Sequence, residues 1–150
     1  MTALIRPATR EDAGFIVRSQ IAMALETESM KLDPDTVKRG VEHVFDHPLI
    51  GFYLIAEFDG EKAGCCLVLS EWSDWRAGNV LWIHSVYIEP KHRRGGVFSS
   101  LYGHLKTMVT NDSTQRGLRL YVDKSNTKAI ATYQALGMNQ EHYDLFEWLK

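Results

Sequence analysis

A mixed α/β domain of the α+β kind, built around one sheet, is the fold class this sequence predicts. Three observations lead there. Runs of strand formers recur along the chain, among them Phe52 to Phe58, Val80 to Ile88 and Leu118 to Val122, and helical periodicity falls between them. Two helix signatures stand side by side after the first strand, which breaks the strict strand-helix alternation of a doubly wound parallel sheet. An Asp59-Gly60 pair joins two neighbouring apolar runs, the mark of a hairpin, so part of the sheet is antiparallel.

Alternation in Ala3-Leu4-Ile5-Arg6 gives the first strand. Pro7 and Thr9-Arg10-Glu11-Asp12 then open a helix with Thr9 as its cap, and Phe15, Ile16, Ile21 and Leu25 form its apolar face. Residues 26–33 are polar. Asp33-Pro34 repeats the cap-then-proline signature and starts a helix through Val37, Val41, Val44 and Phe45, closed by Pro48. Phe52 to Phe58 and Lys62 to Leu69 form the hairpin, with Gly64 marking a bulge. A loop holding Trp72, Trp75 and Gly78 leads into the long apolar run to Ile88, which reads as a central strand.

Pro90 halts that strand, and Leu101, Leu105 and Met108 recur at helical spacing after Gly95-Gly96. Asn111 to Gln115 is a polar turn before the Leu118 to Val122 strand. Ser125 or Asn126 opens a helix carrying Ala129, Ile130, Tyr133 and Leu136, Gly137 ends it, and a final hairpin strand is expected around Tyr143 to Leu149. The sum is about four helices and about six to seven strands. With no repeats, low-complexity segments or linkers, residues 1–150 are expected to form a single domain.

Hydrophobic residues make up 45% of the chain and charged ones 24%, the balance of a folded globular protein. A formal net charge of −2 argues against nucleic acid as a partner, since such binding needs an excess of lysine and arginine to release counterions. No run approaches the roughly 18 apolar residues of a membrane span, and the first residues lack the apolar stretch of a signal peptide, so no membrane partner and a cytoplasmic location are expected. Cys65 and Cys66 are adjacent, which suits neither a metal knuckle nor a disulfide framework. Both are expected to be small buried hydrophobes on opposite sides of a strand, and no metal site is expected.

The stretch from Val86 to Leu101 carries the chemistry. Val86, Tyr87 and Ile88 end a strand, and Gly95 and Gly96 sit where a helix begins. A helix start has backbone N–H groups without partners and a partial positive charge, so it attracts phosphate oxygens. Arg93 and Arg94 add fixed charge. The loop has neither GxGxxG nor GxxxxGK[ST], which removes the main support for dinucleotide or nucleoside-triphosphate binding.

Three separated features resemble the GNAT superfamily of acyl-CoA-dependent N-acyltransferases. Val86 to Pro90 followed by Arg93-Arg94-Gly95-Gly96-Val97 is similar to its strand and its [QR]-x-x-G-x-[GA] pyrophosphate loop. Asn126, Ala129, Tyr133 and Gly137-Met138 resemble its N-x-x-A-x-x-x-Y-x-x-x-G pattern. The order of elements, with two early helices, is the third, and it implies a mixed, mostly antiparallel twisted sheet.

The resemblance implies acetyl-CoA as cofactor. Its pyrophosphate would be cradled by the loop from Arg93 and Arg94 through Gly95, Gly96, Val97, Phe98 and Ser99, and its pantetheine arm would lie along Val86, Tyr87 and Ile88, with Asn126 near the arm. Tyr133 is implied as the acid that protonates the leaving thiolate, with a core aromatic as its other reading. The loop departs from the pattern at Phe98, where the family has glycine or alanine.

A distant similarity to diamine-type acetyltransferases covers Trp75 to Ile88, but the Glu-Asp pair of that branch is replaced by His84 and Ser85. His84 is therefore the expected general base, its other reading being a structural histidine. Glu26, Glu28 and Trp82 are the expected acceptor contacts, suited to a cationic amine by charge and by cation–π attraction. The implied activity is transfer of an acetyl group to a primary amine of a small molecule or peptide, by direct attack in a ternary complex. An acyl-CoA-binding module or sensor without turnover is the alternative. Homodimers are common in the family, so a second copy of the chain is an implied partner, although the sequence identifies no interface.

Overall fold

The structure, a computed structural model, describes residues 2–150 and divides into two compact units, one running to Leu120 and the other spanning Tyr121–Lys150. In the first, β1 (Leu4–Pro7) and a 3-10 turn at Arg10–Asp12 precede α1 (Ala13–Glu28) and α2 (Pro34–Asp46). A meander of β2 (Gly51–Phe58), β3 (Glu61–Ser73) and β4 (Gly78–Ile88) follows, then a 3-10 turn at Pro90–His92, α3 (Val97–Asn111) and β5 (Gln115–Leu120). The five strands lie in the order β1-β2-β3-β4-β5. Every pairing is antiparallel except β4 with β5, which α3 connects as the crossover that parallel strands require.

Local chemistry accounts for most of the boundaries. Asp33 caps α2 by accepting from the Thr36 N–H at 3.0 Å, with Pro34 at the first helical position. Asp59 and Gly60 take φ of 50° and 78°, the left-handed pair that a tight hairpin needs. The register slips by one residue beside Gly64, where Ala56 faces Gly64 but Glu57 faces Lys62.

Both faces of the sheet are covered. Phe15 and Ile16 of α1 and Val41 and Val44 of α2 pack on Tyr53, Ile55, Cys65 and Tyr87. The alternate residues Leu54, Ala56, Cys66, Val68, Leu81 and Ile83 are buried on the other face, where α3 contributes Val97, Leu101 and Leu105 and lies against β5, β2 and β1. Cys65 and Cys66 thus enter different cores, as their adjacency predicts. Burial pushes the Cys65 thiol up to about 11 and the Cys66 thiol higher still, so neither is a ready nucleophile.

Thr9 is the N-cap of this start, as expected, and Asp12 completes a capping box: its carboxylate accepts from the Thr9 N–H at 2.8 Å. Asp12 is 2% exposed and meets Arg6 at 2.8 Å and 3.0 Å and Lys62 at 2.8 Å. Hydrogen bonding from Arg6 first, and then from Lys62 and Thr9, holds its carboxyl well below the usual carboxylate range despite burial.

A depressed folded pKa stabilises the fold above the unfolded value of about 3.9 and loses that contribution as pH falls below it. Asp12→Asn is therefore expected to lower the unfolding free energy by about 3 kcal/mol at pH 7, the low end for a broken buried pair because Arg6 and Lys62 stay partly hydrated. Urea titrations check this. The gap between variant and wild type should narrow below pH ~3.9.

Two expectations are corrected. The sheet has five strands rather than about six to seven, and the final hairpin strand around Tyr143 to Leu149 is absent: these residues form no ladder. A strand exists only through a hydrogen-bonded neighbour, and the second unit contains α4 (Thr127–Ala135) as its one regular element. No helix of the described residues is long and apolar enough to cross a membrane.

Candidate active site

The site grows from an irregularity in β4. Leu69 lies opposite Trp82 and Leu67 opposite His84, but the next pair down the ladder is Cys65 with Tyr87. Two steps on β3 thus match three on β4. The excess is taken up beside Ser85, whose φ of 50° is left-handed, a conformation that costs a non-glycine residue about 1–3 kcal/mol and persists only where its surroundings impose it. The bulge resets the alternation, so His84 and Tyr87 share the face covered by α1 and α2.

Beyond the bulge the strand is open on one side. β5 accompanies β4 only from Asn79 to Ile83. Within this unit His84 to Ile88 keep β3 on one edge and have no strand on the other. An exposed strand edge of this kind accepts an amide-bearing chain as a further strand. On the closed side, a Cβ at Gly64 would stand 2.5 Å from the Tyr87 carbonyl oxygen, so the approach of β3 to this end of β4 requires glycine.

The loop after β4 is clipped to the β2–β3 hairpin. Glu89 N–H donates to the Ala63 carbonyl at 2.8 Å, Lys91 pairs with Glu61, and the His92 ring stacks on Phe58 at 5.6 Å. Arg94 and Gly96 then take φ of 65° and 78°. The first bond of α3 runs from Ser100 N–H to Gly96 O at 3.0 Å, so the amides of Val97 to Ser99 precede the helical ladder at the positive end of a 15-residue helix.

Val97 is buried beneath the loop, and the Phe98 ring stacks on Tyr102 at 6.5 Å, one turn along the helix. The bulky residue at position 98 is therefore accommodated along α3. Arg94 is exposed and has no ion-pair partner among the described residues. A helix start with glycine, ordered main-chain donors and an uncommitted guanidinium fits a pyrophosphate.

Arg93 is placed differently. Its Nε–H donates to the Ile88 carbonyl at 2.9 Å, a terminal nitrogen pairs with Glu26 at 2.8 Å, and its guanidinium lies 5.7 Å from the Tyr87 ring centre. Glu26, expected beside the acceptor, is thus tied to the strand end. Glu28, the last residue of α1, is exposed and has no side-chain partner among the described residues.

His84 and Trp82 lie on one face with ring centres 6.2 Å apart. Burial lowers the pKa of His84 from its ordinary value, which keeps the imidazole neutral and able to accept a proton at neutral pH. Trp82 Nε1–H donates to the Glu71 carboxylate, and the Arg119 guanidinium stands 5.8 Å from the indole ring. The sequence reading did not single out Glu71 or the left-handed Ser85. The first is signalled only by cross-strand register, since Glu71 faces Val80, two residues from Trp82; nothing in the local sequence signals the second.

The remaining expected residues lie in the second unit. Asn126 Oδ1 accepts from the Ala129 N–H at 3.1 Å and caps α4. Gly137, with φ of 91°, ends the helix, and Met138 N–H returns to the Tyr133 carbonyl at 3.0 Å. Tyr133 is half-buried, and burial raises its pKa. Its hydroxyl therefore keeps its proton through neutral pH.

An open strand end feeding a glycine-started helix is an arrangement with known relatives. The model of the acetyltransferase (GNAT) family matches residues 19–138. The chain belongs to the GNAT acetyltransferase family. Among solved structures, this GNAT chain is 35% identical to a possible acetyltransferase from Clostridium difficile 630, over 100% of this chain and 99% of that one, with a TM-score of 0.91. It also shares its fold with AAC(6')-Iy in complex with the bisubstrate analogue CoA-S-monomethyl-acetylneamine, at 17% identity over 100% and 99% of the two chains and a TM-score of 0.77.

A predicted acetyltransferase with acetyl-CoA from Clostridium acetobutylicum is similar at 17% identity, over 99% of this chain and 95% of that one, with a TM-score of 0.72. As a family member the chain is an acyl-CoA-dependent N-acetyltransferase with acetyl-CoA as its donor and an amine as its acceptor.

Proposed function

We propose that this acetyltransferase acetylates a primary amine of a small molecule or peptide by direct attack, with the donor held along the open end of β4 and at the start of α3. The β4 bulge is the observation that carries the reading. It lies between His84, which shares the helix-covered face with Trp82, and the strand end that β5 no longer accompanies, so a donor laid along Val86 to Ile88 and an amine beside His84 would meet there.

Bound acetyl-CoA supplies an activated acetyl thioester. The main-chain donors of Gly95 to Ser99, with the positive end of α3 and Arg94, would hold its pyrophosphate, and the backbone of Val86 to Ile88 would hold its arm. Neutral His84 takes a proton from the attacking amine, directly or through water. By its resemblance to the family's pattern Tyr133, whose hydroxyl keeps its proton, would be the acid for the departing thiolate, and Asn126, by starting α4, fixes the helix that carries it. Trp82, with the Glu71 carboxylate bonded to its edge and the Arg119 guanidinium by its ring, gives the acceptor side an aromatic wall that carries charges of both signs.

Release of free thiol from acetyl-CoA with a panel of primary amines tests the proposal. Amine-dependent release is expected. Tight binding of acetyl-CoA with no release for any amine would favour the sensor reading instead.

A further inference from the structure

We propose that Glu26 and Arg93 form a brace that fixes the Ile88 carbonyl and the loop after it, which makes Glu26 a positioning residue for the donor side of the site and not a contact for the acceptor. The inference rests on the reading of the strand end and glycine loop as the acetyl-CoA site.

One guanidinium joins its own loop to two elements, β4 at Ile88 and Tyr87 and α1 at Glu26. Its Nε–H holds the carbonyl of Ile88 at 2.9 Å, its terminal nitrogen holds Glu26 at 2.8 Å, and its plane lies near Tyr87, a core residue. The two residues are 67 positions apart, so the pair crosslinks the end of α1 to the donor loop. Glu26 stands three residues before Ser29, whose φ of 52° turns the chain out of α1. An arginine fork has a fixed geometry, so anchoring one nitrogen on a carboxylate aims the others.

Ile88 is where that aim matters, because within this unit the strand end has β3 on one side only. The Arg93 Nε–H donates the bond that the Ile88 carbonyl accepts on this open side. The Glu26 and Arg93 side chains are 42% and 43% exposed, and exposed pairs of this kind add little to global stability. Their effect is therefore local, on the geometry that acetyl-CoA meets.

Glu26→Gln, Arg93→Gln and the double variant, titrated with acetyl-CoA by calorimetry, test the brace. The expected Kd increase is about fivefold for Glu26→Gln and about tenfold for Arg93→Gln, with the double variant no worse than Arg93→Gln because both changes remove one unit. The KM for the amine should stay within about twofold. Hydrogen exchange over residues 88–96 of the cofactor-free Glu26→Gln protein should be faster than in wild type.

A higher amine KM with unchanged acetyl-CoA affinity would make Glu26 an acceptor contact and overturn the brace. Tighter acetyl-CoA binding by Glu26→Gln would overturn it too, since the carboxylate would then compete with the pyrophosphate for Arg93. Unchanged affinity and exchange would reduce the pair to a surface contact. If wild type bound no acetyl-CoA, the donor-site reading would fall, while exchange in the cofactor-free protein would still decide whether the brace orders the loop.

Discussion

Tyr133→Phe is expected to lower kcat for acetyl transfer about 100-fold while leaving the Kd for acetyl-CoA within about twofold. The change removes one oxygen and keeps the ring, so α4 and its Asn126 cap should survive. Burial raises the hydroxyl pKa, so the group is protonated at neutral pH, as an acid for a departing thiolate must be. If the loss were instead in acetyl-CoA affinity with kcat intact, Tyr133 would be a packing residue.

His84→Ala is expected to cost about 10- to 100-fold in kcat/KM at pH 7 and to abolish the acid limb of its pH profile. Desolvation lowers the His84 pKa, so His84 acting as the base would be lost only as pH falls through a value below the ordinary 6.5 or so. The wild-type rate should therefore fall on the acid side of neutrality, and the variant should lose that fall. A second limb set by ionisation of the amine itself would remain in both. A variant profile that kept the acid limb of wild type would leave His84 a structural histidine of the Trp82 face.

What the sequence disclosed follows the range of the interactions involved. Asp33 with Pro34, Asp59 with Gly60 and Gly137 act on their own turns, so the local order of residues placed them. Similarly, the glycine-started helix was legible because backbone donors at a helix start follow from local conformation. β3 and β4 extend to Ser73 and Gly78, further than their apolar runs, because the ladder itself recruits Trp72 and Asn79 as partners. β5 begins at Gln115 rather than Leu118 for the same reason: Gln115 and Gly117 pair with Asn79 and Val80 of β4.

The features that make the site were the least visible. Ser85 is left-handed because two strands are one residue out of step, not because serine favours that conformation. Glu26 looked like a free acidic residue in a polar segment until the fold brought Arg93 to it. Asp12 joins Thr9 in a capping box from a buried place because Arg6 and Lys62, on two different strands, keep its carboxylate ionised there. Each of these is decided by tertiary register or long-range charge, which local pattern does not encode.

Direct transfer from thioester to amine is tested most directly by initial rates at several fixed concentrations of an accepted amine while acetyl-CoA is varied, with intact-protein mass measured after acetyl-CoA alone. Intersecting double-reciprocal lines and an unmodified protein mass are predicted, because the amine attacks only when both substrates are bound and the buried Cys65 and Cys66 offer no reactive thiolate. Parallel lines together with a mass increase of one acetyl group would contradict it and place a covalent acetyl-enzyme on the path.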